Sequence, residues 1–150
     1  MVISRIVLVL FVLSLVPTMS FMSPGDDTIV VIVNEANPVA AMTASQVKMI
    51  YTRKISRRWK ELNKNVLPVD RKGEPEVRKS FAKDVLQMTL TAMDQYFSER
   101  EYQNQEPSPV KLASDAEVVK YVEDNPGAIG YVMKSSIGGS KVKIILTVNN

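Results

Sequence analysis

The sequence contains no cysteine and no histidine. The first absence excludes disulfides, thiol nucleophiles and thiolate metal sites. The second removes the side chain that titrates near neutrality and the commonest nitrogen ligand for metals. An ordinary zinc site and histidine-based acid–base chemistry are therefore excluded, and the expectation is a protein that is not an enzyme and has no cofactor and no metal. Carboxylate or lysine chemistry is the formal route left to a hydrolase, and no acid–base set can be assembled from the pattern. An excess of one charge is lacking too: 19 basic residues face 16 acidic ones, a net charge of +3, which argues little for nucleic acid. There is no internal repeat and no low-complexity tract. At 150 residues the chain suffices for one compact domain and is short for two.

A membrane-spanning apolar run is also missing. The longest candidate, Ile6 to Val16, is broken by Ser14 and falls well below the roughly 20 residues a spanning helix needs. With Arg5 before it and the small residues Thr18 and Ser20 after it, the stretch 1–20 reads as a secretory signal peptide cleaved after Ser20, leaving 21–150 as a single domain. An uncleaved N-terminal anchor is the alternative; without cysteine a lipoprotein anchor is excluded. Removing Arg5 leaves a net charge of +2. The expectation is an exported protein, periplasmic or secreted, that does not meet nucleic acid.

What is present is a regular alternation of elements. Thr28 to Val33 is a continuous β-branched run, suited to a strand buried on both faces and expected at the centre of a sheet. Thr43 and Gln46 have the spacing of a capping box, with Val47, Ile50 and Tyr51 forming the apolar stripe of a short helix. Val66, Leu67 and Val69 predict a strand that breaks at a charged turn, and a helix beginning near Pro75 follows, with Val77, Phe81, Ala82 and Val85 on one face. Leu90, Met93, Tyr96 and Phe97 predict a helix that follows or continues it, and Pro107 and Pro109 mark a loop. Ser114 caps another short helix, ended by Asn125-Pro126-Gly127; strands are expected at Ala128 to Val132 and Val142 to Val148, around a turn at Gly138-Gly139. Strands alternating with helices give an α/β fold, a layered sheet flanked by helices.

Two stretches carry candidate chemistry. The turn after Val69 places Arg71, Lys72 and Arg78 near the first N–H groups of a helix, where an anion can be held. The competing reading makes Arg71 and Lys72 solvated turn residues, with Glu74 and Glu76 satisfying the same donors and Arg78 pairing with Glu74. The second stretch, Arg53 to Lys60, sets five cations around Trp59. It reads either as a solvated turn over a buried tryptophan or as a partner-docking patch built on Arg53, Lys54, Arg57 and Arg58.

The ordered set Asn37-Pro38, Thr43 to Tyr51, Arg53-Lys54 before Trp59, Leu67-Pro68-Val69-Asp70-Arg71, Phe81 and Pro126-Gly127-Ala128-Ile129-Gly130-Tyr131-Val132 resembles the periplasmic phosphate-binding proteins of ABC transporters, over about Thr28 to Thr147. In the last motif Gly127 and Gly130 suit a turn and a close backbone approach. The resemblance implies one lobe of a type II periplasmic binding protein and a role linked to phosphate uptake or sensing. It implies phosphate or another small anion as ligand, with Arg71, Arg78 and the N–H groups of Glu76 and Val77 as its site. It also implies a departure, because the family's Ser-Gly-Thr after the site arginine is here Pro75-Glu76-Val77. Two hydroxyls and one N–H are lost, and Glu76 adds a charge of the wrong sign; at about 4 Å such a charge costs on the order of 1 kcal/mol in water and about 4 kcal/mol at a surface-like dielectric. The alternative function is accordingly an interaction or assembly module that keeps the fold without the ligand and docks on a periplasmic or membrane protein.

Overall fold

The computed structural model describes residues 28–55 and 57–148. The stretch read as a signal peptide, 1–20, lies outside the described residues.

The β-branched run forms strand β1 (Ile29–Asn34), buried at every position. Its side chains alternate between two cores. Ile29, Val31 and Val33 enter one and Val30 and Ile32 the other, as the pleat requires of a strand with helices on both faces. Helix α1 (Ala44–Tyr51) starts at the expected capping box, with Thr43 Oγ1 accepting from Gln46 N and the Gln46 side chain accepting from Thr43 N. Two short strands, β2 (Arg58–Trp59) and β3 (Lys64–Asn65), make an antiparallel hairpin where the sequence pattern predicts a solvated turn.

Strand β4 (Leu67–Arg71) leads through Gly73, at φ 69°, into helix α2 (Glu76–Ser80), for which Pro75 is the N-cap residue. The helix widens at Phe81–Leu86 into a π-helical segment that stops at Gln87 in the left-handed region. Helix α3 (Leu90–Asn104) then restarts on a Thr89 cap, so it follows the first helix and does not continue it. Strand β5 (Val110–Leu112), helix α4 (Asp115–Asp124), strand β6 (Ala128–Met133), a 3-10 turn (Lys134–Ser136) and strand β7 (Val142–Val148) complete the order.

The main sheet runs β5-β4-β6-β1-β7. Strand β4 is parallel to β5 and β6, whereas β1 is antiparallel to β6 and β7. The expectation that β1 is central is corrected here: β6 takes the middle position and β1 lies one place outward. The cause is its partner β7, which covers its outer edge. Helices α1, α2 and α3 and the π-helical segment cover one face, around Tyr51, Phe81, Leu86 and Met93; α4 covers the other with Val118, Val119 and Val122. The outcome is a layered α/β sheet flanked by helices.

Both glycines of the last motif are required by contact. A Cβ on Gly127 would lie 2.1 Å from the Asn65 carbonyl oxygen, and one on Gly130 would lie 2.7 Å from Val118 Cγ1. Gly127 O also accepts from Leu67 N and from the Trp59 indole at 2.9 Å. The hairpin and the sheet are thereby joined at one carbonyl.

Candidate functional site

The carboxyl ends of the three parallel strands converge at one edge, the place where open α/β sheets hold ligands. Arg71 ends β4 there, and its side chain is only 10% exposed. It does not face an open anion locus. Its Nη1 pairs with Asp115 Oδ1 at the start of α4, and its Nη2 donates to Ala113 O at 3.1 Å. The other Asp115 oxygen accepts from Met133 N at 2.9 Å and from Ser136 Oγ at 3.0 Å. Guanidinium, backbone N–H and hydroxyl are the donors an oxyanion takes. Here a carboxylate of the chain receives all three.

Arg78, the second expected site residue, is more deeply committed. Its Nε lies 3.1 and 3.2 Å from the two Asp70 oxygens, and Nη2 lies 2.9 Å from Asp70 Oδ2 and 2.6 Å from Asp94 Oδ1. Nη1 donates to Gly73 O at 3.0 Å. Burial opposes the charge of Arg78, but hydrogen bonds and charge from Asp70 and Asp94 outweigh it and hold its pKa above the ordinary value. Asp94 also takes Lys111 Nζ at 3.1 Å, and the Arg78 hydrogen bond, followed by that lysine, depresses its pKa. The Arg78–Glu74 pairing weighed from the sequence is replaced by these two carboxylates.

Tyr131 closes the network. Its hydroxyl donates to Asp70 Oδ1 at 2.6 Å while its ring stacks on Phe81, with centroids 3.8 Å apart and planes 4° from parallel. Burial, then the Asp70 charge, raise the phenol's pKa. Three cations, Arg71, Arg78 and Lys111, thus meet three carboxylates, Asp70, Asp94 and Asp115. Of the remaining expected site residues, Glu76 is exposed and Val77 is buried in the core. Intrahelical bonding begins with Arg78 N donating to Pro75 O at 3.0 Å. Proximity brings Arg71 and Arg78 to the same edge, and separate carboxylates hold them there. The sequence reading assigned no role to Asp94, Asp115 or Tyr131; Asp70 stood in its strand motif without one. Among the described residues, no cluster of three or more Asp and Glu side chains is placed to hold a metal ion.

The basic segment falls elsewhere. Trp59 is buried beneath it; Lys54, Arg57 and Arg58 are exposed, and Arg58 Nη2 donates to Asn63 O at 3.1 Å. Arg53 is half-buried, with Nη1 3.4 Å from Val66 O. Arg53 and Arg57 line a cavity of about 290 Å³ together with Asn65, Val66, Leu67 and the 104–107 segment. In its wall Glu106, 8% exposed, pairs with Arg57 and with Arg100, whose Nη2 is 2.7 Å away. Burial lowers the Arg53 pKa, and the nearby Arg57 and Arg100 charges add to that against the opposing Glu106. Glu106 is held below its usual range, chiefly by the Arg100 hydrogen bond.

The five-stranded sheet with helices on both faces defines a class of fold, similar to one lobe of a periplasmic binding protein. Within it, the chain is a relative, in fold, of phosphate ABC transporter substrate-binding proteins. It superposes on such a protein with bound phosphate from Clostridium perfringens at TM-score 0.62 and 25% identity, over 79% of this chain and 44% of that one. An ABC-type phosphate transport receptor from Vibrio cholerae matches at TM-score 0.60 and 24% identity, over 79% and 45%. PstS from Borrelia burgdorferi matches at 0.60 and 17%, over 79% and 46%. The chain therefore spans less than half the length of the structures it matches. No family model and no curated protein matches the sequence.

Proposed function

We propose that this chain is an exported, non-catalytic relative of the phosphate-binding proteins that works as an interaction module, with the anion locus of the fold filled by its own carboxylates. The observation that carries the reading is the pairing of Arg71 with Asp115 and of Arg78 with Asp70 and Asp94. A phosphate entering at Arg71 has to displace a carboxylate already joined to three donors, and Glu76 stands at the helix start where the family supplies hydroxyls. The docking surface in this reading is the exposed cationic stretch of Lys54, Arg57 and Arg58 beside Arg53, and the partner is a periplasmic or membrane protein with an acidic face. No helix among the described residues is long and apolar enough to cross a membrane. The test is isothermal titration with phosphate against a sulfate control, paired with partner capture. A flat titration together with capture weakened by charge reversal at Arg57 and Arg58 is the expected result.

One observation favours the second reading, small-anion binding at the strand-end edge. Arg71 Nε is buried without a hydrogen-bond partner. If Asp115 gives way, that N–H, Ser136 Oγ and the N–H groups of Glu76 and Val77 are the donors for phosphate or another small anion. Saturable phosphate binding that disappears in Arg71→Ala would establish this reading over the first.

A further inference from the structure

The cavity of about 290 Å³ between the end of α1, the β3–β4 junction and the end of α3 combines three features that the docking reading does not require. The first is charge. Arg53, Arg57 and Arg100 gather around one carboxylate, Glu106; Glu106 is joined to Arg57 and Arg100, while Arg53 is left with a long contact to the Val66 carbonyl. A guanidinium carries five N–H donors in a fixed fork. Most of the Arg53 fork has no acceptor among the described residues.

The second feature is backbone conformation. Among the described residues, four non-glycine residues have positive φ: Arg53 at 57°, Asn63 at 52°, Gln87 at 57° and Gln105 at 53°. Arg53 and Gln105 each close a helix end where glycine is the favoured residue, and both line this cavity. Side chains retained at left-handed positions suggest a use for the side chain.

The third is the mixture of walls. The polar residues Asn65, Asn104 and Gln105 line it together with Arg53 and Arg57, while Val66, Leu67 and Pro107 complete the lining. A phosphate presents acceptors in every direction and leaves oxygens unpaired against the apolar part. A carboxylate directs its charge one way and its hydrocarbon the other. The space equals that of about ten waters, enough for a short organic acid.

We propose that this cavity is a binding site for small organic carboxylates, with Arg53 as the primary anchor and the Asn104 and Gln105 amides as secondary donors. The site is separate from the Arg71 edge and shares Arg53 and Arg57 with the docking stretch.

Titration of the full chain with butanoate and with glutarate tests it, with inorganic phosphate and sulfate as controls. Saturable binding of at least one acid, at least tenfold tighter than phosphate, is expected. Arg53→Gly and Gln105→Gly provide the decisive variants, because glycine suits both backbone positions and each variant keeps or raises the thermal midpoint. Arg53→Gly is expected to weaken the acid at least tenfold and Gln105→Gly severalfold, while Arg71→Gln leaves it unchanged. Absence of saturable acid binding in the parent chain, equal affinity in the folded Arg53→Gly variant, or phosphate binding as tight as the acids each overturns the proposal. Partner capture by the parent chain against charge reversal at Arg57 and Arg58 measures the docking reading, and acid binding by the parent chain measures this one.

Discussion

Asp70 and Arg78, eight residues apart in sequence, form a buried two-point ion pair in which Nε reaches both carboxylate oxygens at 3.1 and 3.2 Å and Nη2 reaches Oδ2 at 2.9 Å. The two side chains are 2% and 3% exposed. The pair ties the end of β4 to α2, and Asp94 extends the tie to α3. Removing one partner strands a charge in the interior. Arg78→Met is expected to destabilise the protein by about 3–5 kcal/mol, and Asp70→Asn with Arg78→Met to recover much of that loss. Urea unfolding of both variants measures the difference; equal losses in the two would mean that the charge is not the cause.

Arg71 and Asp115 make a different prediction, a gain of binding. Asp115→Asn removes the charge opposing Arg71 and leaves its neighbours Met133 N and Ser136 Oγ in place. The parent chain should give no saturable heat with phosphate. The variant should bind phosphate at about 1 mM, equivalent to roughly 4 kcal/mol, and should lose that binding when Arg71→Ala is added. A flat titration of Asp115→Asn would show that the rest of the locus, Glu76 foremost, is closed as well.

Gly127→Ala should be among the most damaging of small substitutions. The added methyl would meet the Asn65 carbonyl oxygen at 2.1 Å, and a backbone atom cannot rotate away as a side chain can. A loss of about 3 kcal/mol and a fall in thermal midpoint on the order of 10 °C are expected, with loss of the Trp59–Gly127 hydrogen bond read from a red shift in indole emission.

The depressed carboxylates set the acid limb of stability. Arg78, then Lys111, hold the Asp94 pKa below its ordinary value near 3.8, and Arg100 does the same for Glu106. A group whose folded pKa is depressed contributes in full above its unfolded pKa and loses that contribution as pH falls through the folded one. The thermal midpoint should therefore be flat above about pH 5 and fall below about pH 4. Asp94→Asn should lower the midpoint at neutral pH and flatten the acid limb. Because Asp94 is 45% exposed, salt near 0.5 M should weaken its share.

Much of the fold was legible in the sequence because its signals are local. The run Thr28 to Val33 announced a strand buried on both faces, observed at Ile29–Asn34, the Thr43–Gln46 box was found in place, and Ser114 caps α4 by accepting from Glu117 N at 3.2 Å. The hairpin at Arg58–Trp59 and Lys64–Asn65 was missed, since two-residue strands in a cationic stretch carry no period. At the strand-end edge, Arg71 and Arg78 were visible as cations near a helix start. Their true partners were not, because Asp94 and Asp115 lie 16 and 44 residues away from them. Spacing rules see pairs three or four residues apart; a carboxylate brought in by sheet topology leaves no such mark. The same applies to Glu106, placed against Arg57 from 49 residues away.

The position of β1 has a kinetic consequence. The first strand of the sheet is flanked on both sides by late ones, Ile29 pairing with Met133 on one edge and with Val148 on the other. Until those residues have been synthesised, β1 has neither neighbour. Contacts so distant along the chain close slowly, so the sheet cannot assemble from the N-terminus during translation. Its completion awaits synthesis of Val148, and a ribosome stalled before β7 should display a polypeptide still sensitive to protease.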